Sequence, residues 1–241
     1  MSTVFITGAT SGIGYQLAVD YHAAGSKVVA CGRNPIALQS LQLLGEQIEI
    51  LQFDVTNATA SKNALQQMKY QPDVWIFNAG SCEYIEQGEL DSELIKRVFE
   101  VNFLGLVNSI EAAQPYFKAG DKVVVIGSIS SELALPRAEA YGASKAAVSY
   151  LARTLQSTLK PKGVSVTVVY PGFVQTPLTD KNTFAMPMMV SSQDASIAIR
   201  RGIAKNRSFI YFPARFTTIL RLISLLPYRW QTLLTTQLIK G

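Results

Sequence analysis

Short, almost continuously apolar runs recur along the chain. They are TVFI at 3–6, KVVAC at 27–31, IEILQF at 48–53, DVWIF at 73–77, KVVVIG at 122–127, VSVTVVY at 164–170 and SFIYF at 208–212. Each has strand length, and most lack the polar–apolar alternation of a half-solvated sheet, so they predict a parallel sheet covered on both faces. The segments between them, at 12–24, 35–45, 58–69, 91–118, 140–160 and 192–204, read as helices. Boundary signals support them: Gly25 follows the first, Asn34-Pro35 opens the second, Asp91 opens the fourth, and Pro161 and Gly163 close the fifth. This alternation predicts an α/β fold: one doubly wound, Rossmann-like domain over residues 1–241. About seven parallel strands would be joined by right-handed crossovers, with helices on both faces. Residues 178–191, LTDKNTFAMPMMVS, are too long for an ordinary connection and form a candidate substrate lid. Residues 213–241 form a C-terminal helical extension.

Composition narrows the picture. Of 241 residues, 48% are apolar and 16% charged, which suits a soluble protein with a large core. Cys31 and Cys82 stand far apart, outside any C-x-x-C spacing. They predict neither a disulfide framework nor a zinc site, and they agree with a reducing compartment. His22, the sole histidine, argues against a Ser-His-Asp triad and a His-rich metal site, and reads as a solvent-facing helix residue. No metal is expected. No signal peptide is visible, because STVFITGATSGIG begins at residue 2 and runs straight into glycines. No stretch reaches the roughly 18–20 apolar residues of a membrane span. A cytoplasmic protein is expected. The net charge of +5 belongs to the tail: after Asp194 come eight cations and no acid, so the first 194 residues carry −3. No nucleic-acid reader motif accompanies those cations, so no nucleic-acid partner is expected.

Two short motifs carry chemistry. In TGATSGIG, Gly8, Gly12 and Gly14 fall where the first strand meets the first helix. Glycines there allow a tight turn and close backbone approach, and the helix start offers free N–H groups to a pyrophosphate. The plainer alternative is an ordinary strand–helix turn. In YGASK, Tyr141 and Lys145 share a helix face one turn apart. An ammonium beside a phenol favours the phenolate, so the pair could be a proton donor with a lowered pKa, or a surface pair on an ordinary helix.

With these residues in place, the chain resembles the short-chain dehydrogenase/reductase family over about residues 3–212. TGATSGIG looks like the family's T-G-x-x-x-G-I-G cofactor loop. FDVT puts Asp54 and Val55 where the family contacts adenine, and NAG at Asn78–Gly80 matches the segment lining the cofactor. VNFLG supplies the helix asparagine, Asn102. VVVIGSISS ends the fifth strand with Ser128, thirteen residues before Tyr141, and PGFVQT places Pro171, Gly172, Val174 and Thr176 beside the nicotinamide. The resemblance implies Asn102, Ser128, Tyr141 and Lys145 as the catalytic set. Tyr141 would be the general acid–base, with Lys145 lowering its pKa and holding the ribose hydroxyls. Ser128 would hydrogen-bond the substrate oxygen, and Asn102 would hold a relay water. Ser130 and Ser131 read as loop hydrogen-bonders. The implied cofactor set is Gly8, Thr10, Ser11, Gly12, Ile13, Gly14, Arg33, Asp54, Val55, Asn78, Ala79, Gly80, Tyr141, Lys145, Pro171, Gly172, Val174 and Thr176.

The second strand ends CGRNP, with Arg33 and no carboxylate to accept a ribose 2′-hydroxyl, so NADP(H) is favoured over NAD(H). Arg33 as a solvated loop residue is the alternative. Ser11 also stands where some NADP-preferring relatives carry a second basic residue. Phe184, Met186, Met188 and Met189 make the lid segment apolar, which suggests a hydrophobic substrate or packing on a neighbouring helix or subunit. In the tail, Ile219, Leu222, Ile223 and Leu226, then Trp230, Leu233, Leu234 and Leu238, form two amphipathic stripes split by Pro227. They would pack on the protein or across a dimer, or lie peripherally on an anionic membrane. The leading function is NADP(H)-dependent interconversion of a carbonyl and a secondary alcohol by a homodimer or homotetramer. The alternative is a non-catalytic nucleotide sensor or scaffold on the same fold.

Overall fold

A computed structural model describes residues 2–180, 182 and 186–239, with the side chains of 237–239 left aside. Seven parallel strands form one sheet in the order β3-β2-β1-β4-β5-β6-β7. They are β1 (Thr3–Thr7), β2 (Lys27–Gly32), β3 (Ile48–Gln52), β4 (Val74–Phe77), β5 (Lys122–Ile126), β6 (Ser165–Pro171) and β7 (Phe209–Phe212). The helices are α1 (Gly12–Ala23), α2 (Pro35–Gln42), α3 (Ala58–Gln66), α4 (Ser92–Phe99), α5 (Gly105–Ala113), α6 (Glu139–Leu159), α7 (Ser192–Ala204), α8 (Ala214–Ser224) and α9 (Tyr228–Ile239). The doubly wound expectation holds.

The unbroken apolarity of the strands has a direct cause. In β1, Val4 and Ile6 join the core under α1 and α7, while Phe5 joins the opposite core under α5 and α6. In β5, Val124 and Ile126 face the first core, and Val123 and Val125 the second. Each such side chain contributes about 1.5–3 kcal/mol on full burial. A smaller cluster of Ile129, Leu133, Phe216 and Leu220 lies beyond the sheet and ties α8 to the loop after β5.

Strand order reverses between β1 and β4, and a ligand crevice forms beyond the strand C-termini at such a switch point. Asn78 bridges it. Its Nδ2 donates to the Thr7 and Gly8 carbonyls at 3.2 and 3.3 Å, and the N–H groups of Asn78 and Ala79 donate to Thr7 Oγ1 at 3.0 and 3.1 Å.

Two details differ from the sequence expectation. The helix expected over 91–118 is α4 and α5 joined by a π-helical turn, Glu100–Leu104, where the Gly105 N–H reaches back five residues to the Glu100 carbonyl. Such turns are uncommon and favour functional sites. His22 does not simply face solvent: its Nε2 meets the Leu44 carbonyl at 3.1 Å and its ring packs under Gly45. Segment 178–191, the candidate lid, is tied at its base by a bridge between Val174 and Val190, with Gln175 N–H donating to the Val190 carbonyl at 2.9 Å.

Candidate active site

The turn after β1 has the shape its glycines predict. Gly8 and Gly12 adopt φ of +67° and +54°. A Cβ on Gly14 would stand 2.3 Å from the Gly8 carbonyl oxygen, so glycine lets α1 start hard against β1. Gly14 therefore supports the groove from behind. The groove itself, about 390 Å³, is walled by the rest of the expected cofactor set: Gly8, Thr10, Ser11, Gly12 and Ile13 at one end, then Arg33, Asp54 and Val55, then Asn78–Gly80, and finally Tyr141, Lys145, Pro171, Gly172, Val174 and Thr176.

At the end of the groove beside β2, the Arg33 side chain is 70% exposed and its guanidinium lies 3.3 Å from the Asp54 carboxylate. Burial works upward on the Asp54 pKa, but hydrogen bonds from Thr56 N–H and Oγ1, both 2.9 Å, and the Arg33 charge outweigh it and hold the group below the usual carboxylate range. Asp54 is thus a fixed anion that already neighbours the one cation of this end among the described lining residues.

The other end holds the expected catalytic residues. Ser128 stands two residues after β5 and Tyr141 lies in the first turn of α6, their hydroxyls hydrogen-bonded. Ser130 donates to Ser128 Oγ from both its N–H, at 3.2 Å, and its Oγ, at 2.9 Å, and Ser131 Oγ donates to the Ser128 carbonyl at 2.6 Å. Ser130 is a loop hydrogen-bonder, as expected, and the group it bonds is the Ser128 hydroxyl. Lys145 is buried on the same face of α6. Its Nζ donates to the Ile126 carbonyl at 3.0 Å and lies 5.8 Å from the Tyr141 ring centroid.

Burial pushes the Lys145 pKa down to about 8, opposed by nearby Cys82. Burial also raises the Tyr141 phenol, opposed by the Ser128 hydrogen bond. The lowering of Tyr141 expected from Lys145 does not emerge, because desolvation of the phenolate is the larger influence.

Asn102 sits in the π-helical turn, buried behind the groove. Both its amide hydrogens are committed, to the Ser81 carbonyl and to Ser144 Oγ, each at 2.9 Å, while its Oδ1 accepts the Ser81 N–H at 2.7 Å. It straps the loop after β4 to α6. Any relay water would have to use its remaining acceptor capacity or its main chain. Ser81 Oγ, on the groove wall, is buried with no partner among the described residues. That spare hydroxyl and the Cβ-free glycine cradle fit a bound dinucleotide.

A second cavity, about 120 Å³, meets the groove at Ser128, Tyr141, Gly172, Leu178 and Thr179. Its walls are mainly apolar: Ile129, Leu135, Pro136, Ala138, Phe173 and Pro187, with Phe216 and Leu220 from α8. Cys82, Tyr84 and Asn182 add polar atoms, and Asn182 Nδ2 lies 3.4 Å from Tyr84 Oη. These residues escaped sequence reasoning because α8 and the loop after β4 are distant in the chain and show no motif. The methionines of segment 178–191 do not line this cavity. Met188 and Met189 point to solvent, Met186 Sδ accepts from Asn182 at 3.2 Å, and Phe184 lies outside the described residues.

Fold and site together define a doubly wound α/β protein with a Ser-Tyr-Lys set where a glycine-lined groove and an apolar cavity meet. The short chain dehydrogenase family model matches residues 2–186. An uncharacterised oxidoreductase of Myxococcus xanthus is 30% identical over 234 residues, covering 93% of this chain and 92% of that one. The chain spans two thirds or less of several longer curated relatives it matches. A Burkholderia cenocepacia short chain dehydrogenase in complex with NADP superimposes with a TM-score of 0.84 at 24% identity, covering 95% of this chain and 94% of that one. A Burkholderia phymatum short chain dehydrogenase/reductase in complex with NAD gives 0.81 at 23%, covering 92% of each. The chain belongs to the short-chain dehydrogenase/reductase family and is an oxidoreductase.

Proposed function

We propose that the protein reduces a carbonyl, or oxidises the matching secondary alcohol, on an apolar small molecule with NADP(H) as its redox partner. The observation that carries this reading is the meeting of the glycine-lined groove and the apolar cavity at Ser128 and Tyr141. When bound, the nicotinamide supplies the hydride taken up by the carbonyl carbon. The chain's own residues do the rest. Ser128 donates a hydrogen bond to the carbonyl oxygen as negative charge grows there. Tyr141 gives that oxygen its proton from Oη, and the Lys145 ammonium favours the phenolate left behind. Ser130 keeps the Ser128 hydroxyl aimed at Tyr141. In the oxidative direction the same proton returns to Tyr141 Oη. A non-catalytic sensor would have no need of this proton-transfer set. Family membership leads us to expect a dimer or tetramer, which sedimentation would establish.

Preference for NADP(H) rests on Arg33 at the end of β2 with no carboxylate on that strand end. A 2′-phosphate would compete with Asp54 for Arg33, so the preference is moderate. NADPH should bind about tenfold tighter than NADH, roughly 1.4 kcal/mol. Fluorescence titration measures it, Arg33→Ala should erode it, and equal affinities in the native protein would refute it. NADPH oxidation with a panel of apolar ketones tests the chemistry. Turnover confined to small charged carbonyls would refute the substrate class.

A further inference from the structure

Helix α8 is apolar on two sides. Phe216 and Leu220 point inward to the substrate cavity, with Ile223 packed beside them. Ile219 and Leu222, at i and i+3, face solvent on the other side, and Leu225 and Leu226 in the turn after α8 are exposed as well, Leu225 at 80%. Helix α9 adds Tyr228, Trp230 and Leu233, all exposed. The two helices are joined firmly: Gln231 Nε2 donates to the carbonyls of Ser224 and Leu226 at 2.9 and 2.7 Å, closing the end of α8 across the Pro227 break. Scattered exposed leucines are ordinary, but a run of seven large apolar residues within one helical pair is not.

Charge narrows what covers this run. Arg215 and Arg229 are exposed, Arg229 lying over the Trp230 ring, and no acidic residue follows Asp194. A second copy packed face to face about a two-fold axis would place Arg215 and Arg229 against their own counterparts, with no acid from α8 or α9 between them. An anionic bilayer is complementary in both respects: apolar side chains enter the acyl boundary while arginines meet headgroups. No described helix is long and apolar enough to cross a membrane, so the pair would lie on it.

We propose that the outer face of α8 and α9 docks peripherally on an anionic lipid surface. The helix whose inner face walls the substrate cavity is then held at the lipid boundary, where an apolar substrate partitions. This consequence for substrate supply rests on the apolar-substrate reading; docking itself does not.

The test uses the full chain with vesicles of phosphatidylcholine alone or mixed with phosphatidylserine, read by sedimentation and tryptophan emission. Trp75 is fully buried, so a blue shift on binding reports Trp230. Binding should require the anionic lipid and weaken, without vanishing, at high salt. Arg215→Gln with Arg229→Gln should weaken it roughly 25-fold, about fivefold per charge removed. Leu222→Asp with Leu225→Asp should weaken it at least about fiftyfold, with melting temperature, NADPH affinity and oligomeric state unchanged. Those unchanged readouts separate failure of docking from failure of the catalytic reading. The proposal is overturned if the native chain ignores anionic vesicles at low salt, if the aspartate variant binds like the native chain, or if that variant loses its oligomeric state, which would make the face a contact between copies.

Discussion

Tyr141 and Lys145 feel opposite demands. Burial keeps the phenol protonated, the form a reductase needs, while the same burial draws the Lys145 pKa from its usual 10.5 to about 8. Lys145 therefore carries its charge below pH 8 and loses it above, and with it the stabilisation of the Tyr141 phenolate. Carbonyl reduction should fall as pH rises through about 8, seen as a limb in kcat/KM, and Lys145→Arg should flatten that limb at a lower rate. A profile level to pH 9.5 would contradict this role. The linkage sign agrees with the cost of burying a cation. Between pH 8 and 10.5 the unfolded chain binds more protons at Lys145, so its stability contribution is full above 10.5 and lost as pH falls through 8. Ser128, Tyr141 and Lys145 were expected through the family resemblance, and β5 and α6 bring the three side chains together. The strap at Asn102 was not, since Ser81 and Ser144 stand 21 and 42 residues away and meet it only in the fold.

At the scale of elements, the junction of β1 with α1 decides whether a groove exists. An added methyl at Gly14 would press on a backbone oxygen, which cannot give way as a flexible side chain could. Gly14→Ala should cost about 1–3 kcal/mol of stability and weaken NADPH binding, checked by denaturant unfolding and titration. An unchanged midpoint would show that α1 shifts freely. The strands were readable to within a residue or two because sheets buried on both faces leave continuous apolar runs. The π-helical turn at Glu100–Leu104 was unreadable, since EVNFL continues a helical pattern and its widening is settled by contacts. The tail was half readable. Its two helices and the Pro227 break were foreseen, but the row facing the protein is Phe216, Leu220 and Ile223, while most of the expected stripe faces out.

Across the whole molecule, distant parts of the chain line two adjoining cavities: the first half supplies most of the groove, and α8 walls the apolar cavity. Glu132, just beyond the catalytic serine loop, accepts a hydrogen bond from Tyr211 Oη at 2.7 Å and pairs with Arg221 of α8 at 3.5 Å, so the wall is latched to the catalytic loop. Phe216→Ala should raise KM for an apolar ketone roughly tenfold while kcat changes less than about twofold, because a pocket wall binds ground and transition states alike. A fall in kcat with KM unchanged would show instead that α8 shapes the reacting geometry. The central claim is that Tyr141 moves the proton where the two cavities meet. The most direct measurement is single-turnover NADPH oxidation by Tyr141→Phe with any ketone the native enzyme reduces. The account predicts a loss of at least about a hundredfold with NADPH affinity within about threefold of native. A variant retaining more than about a tenth of the native rate would contradict it.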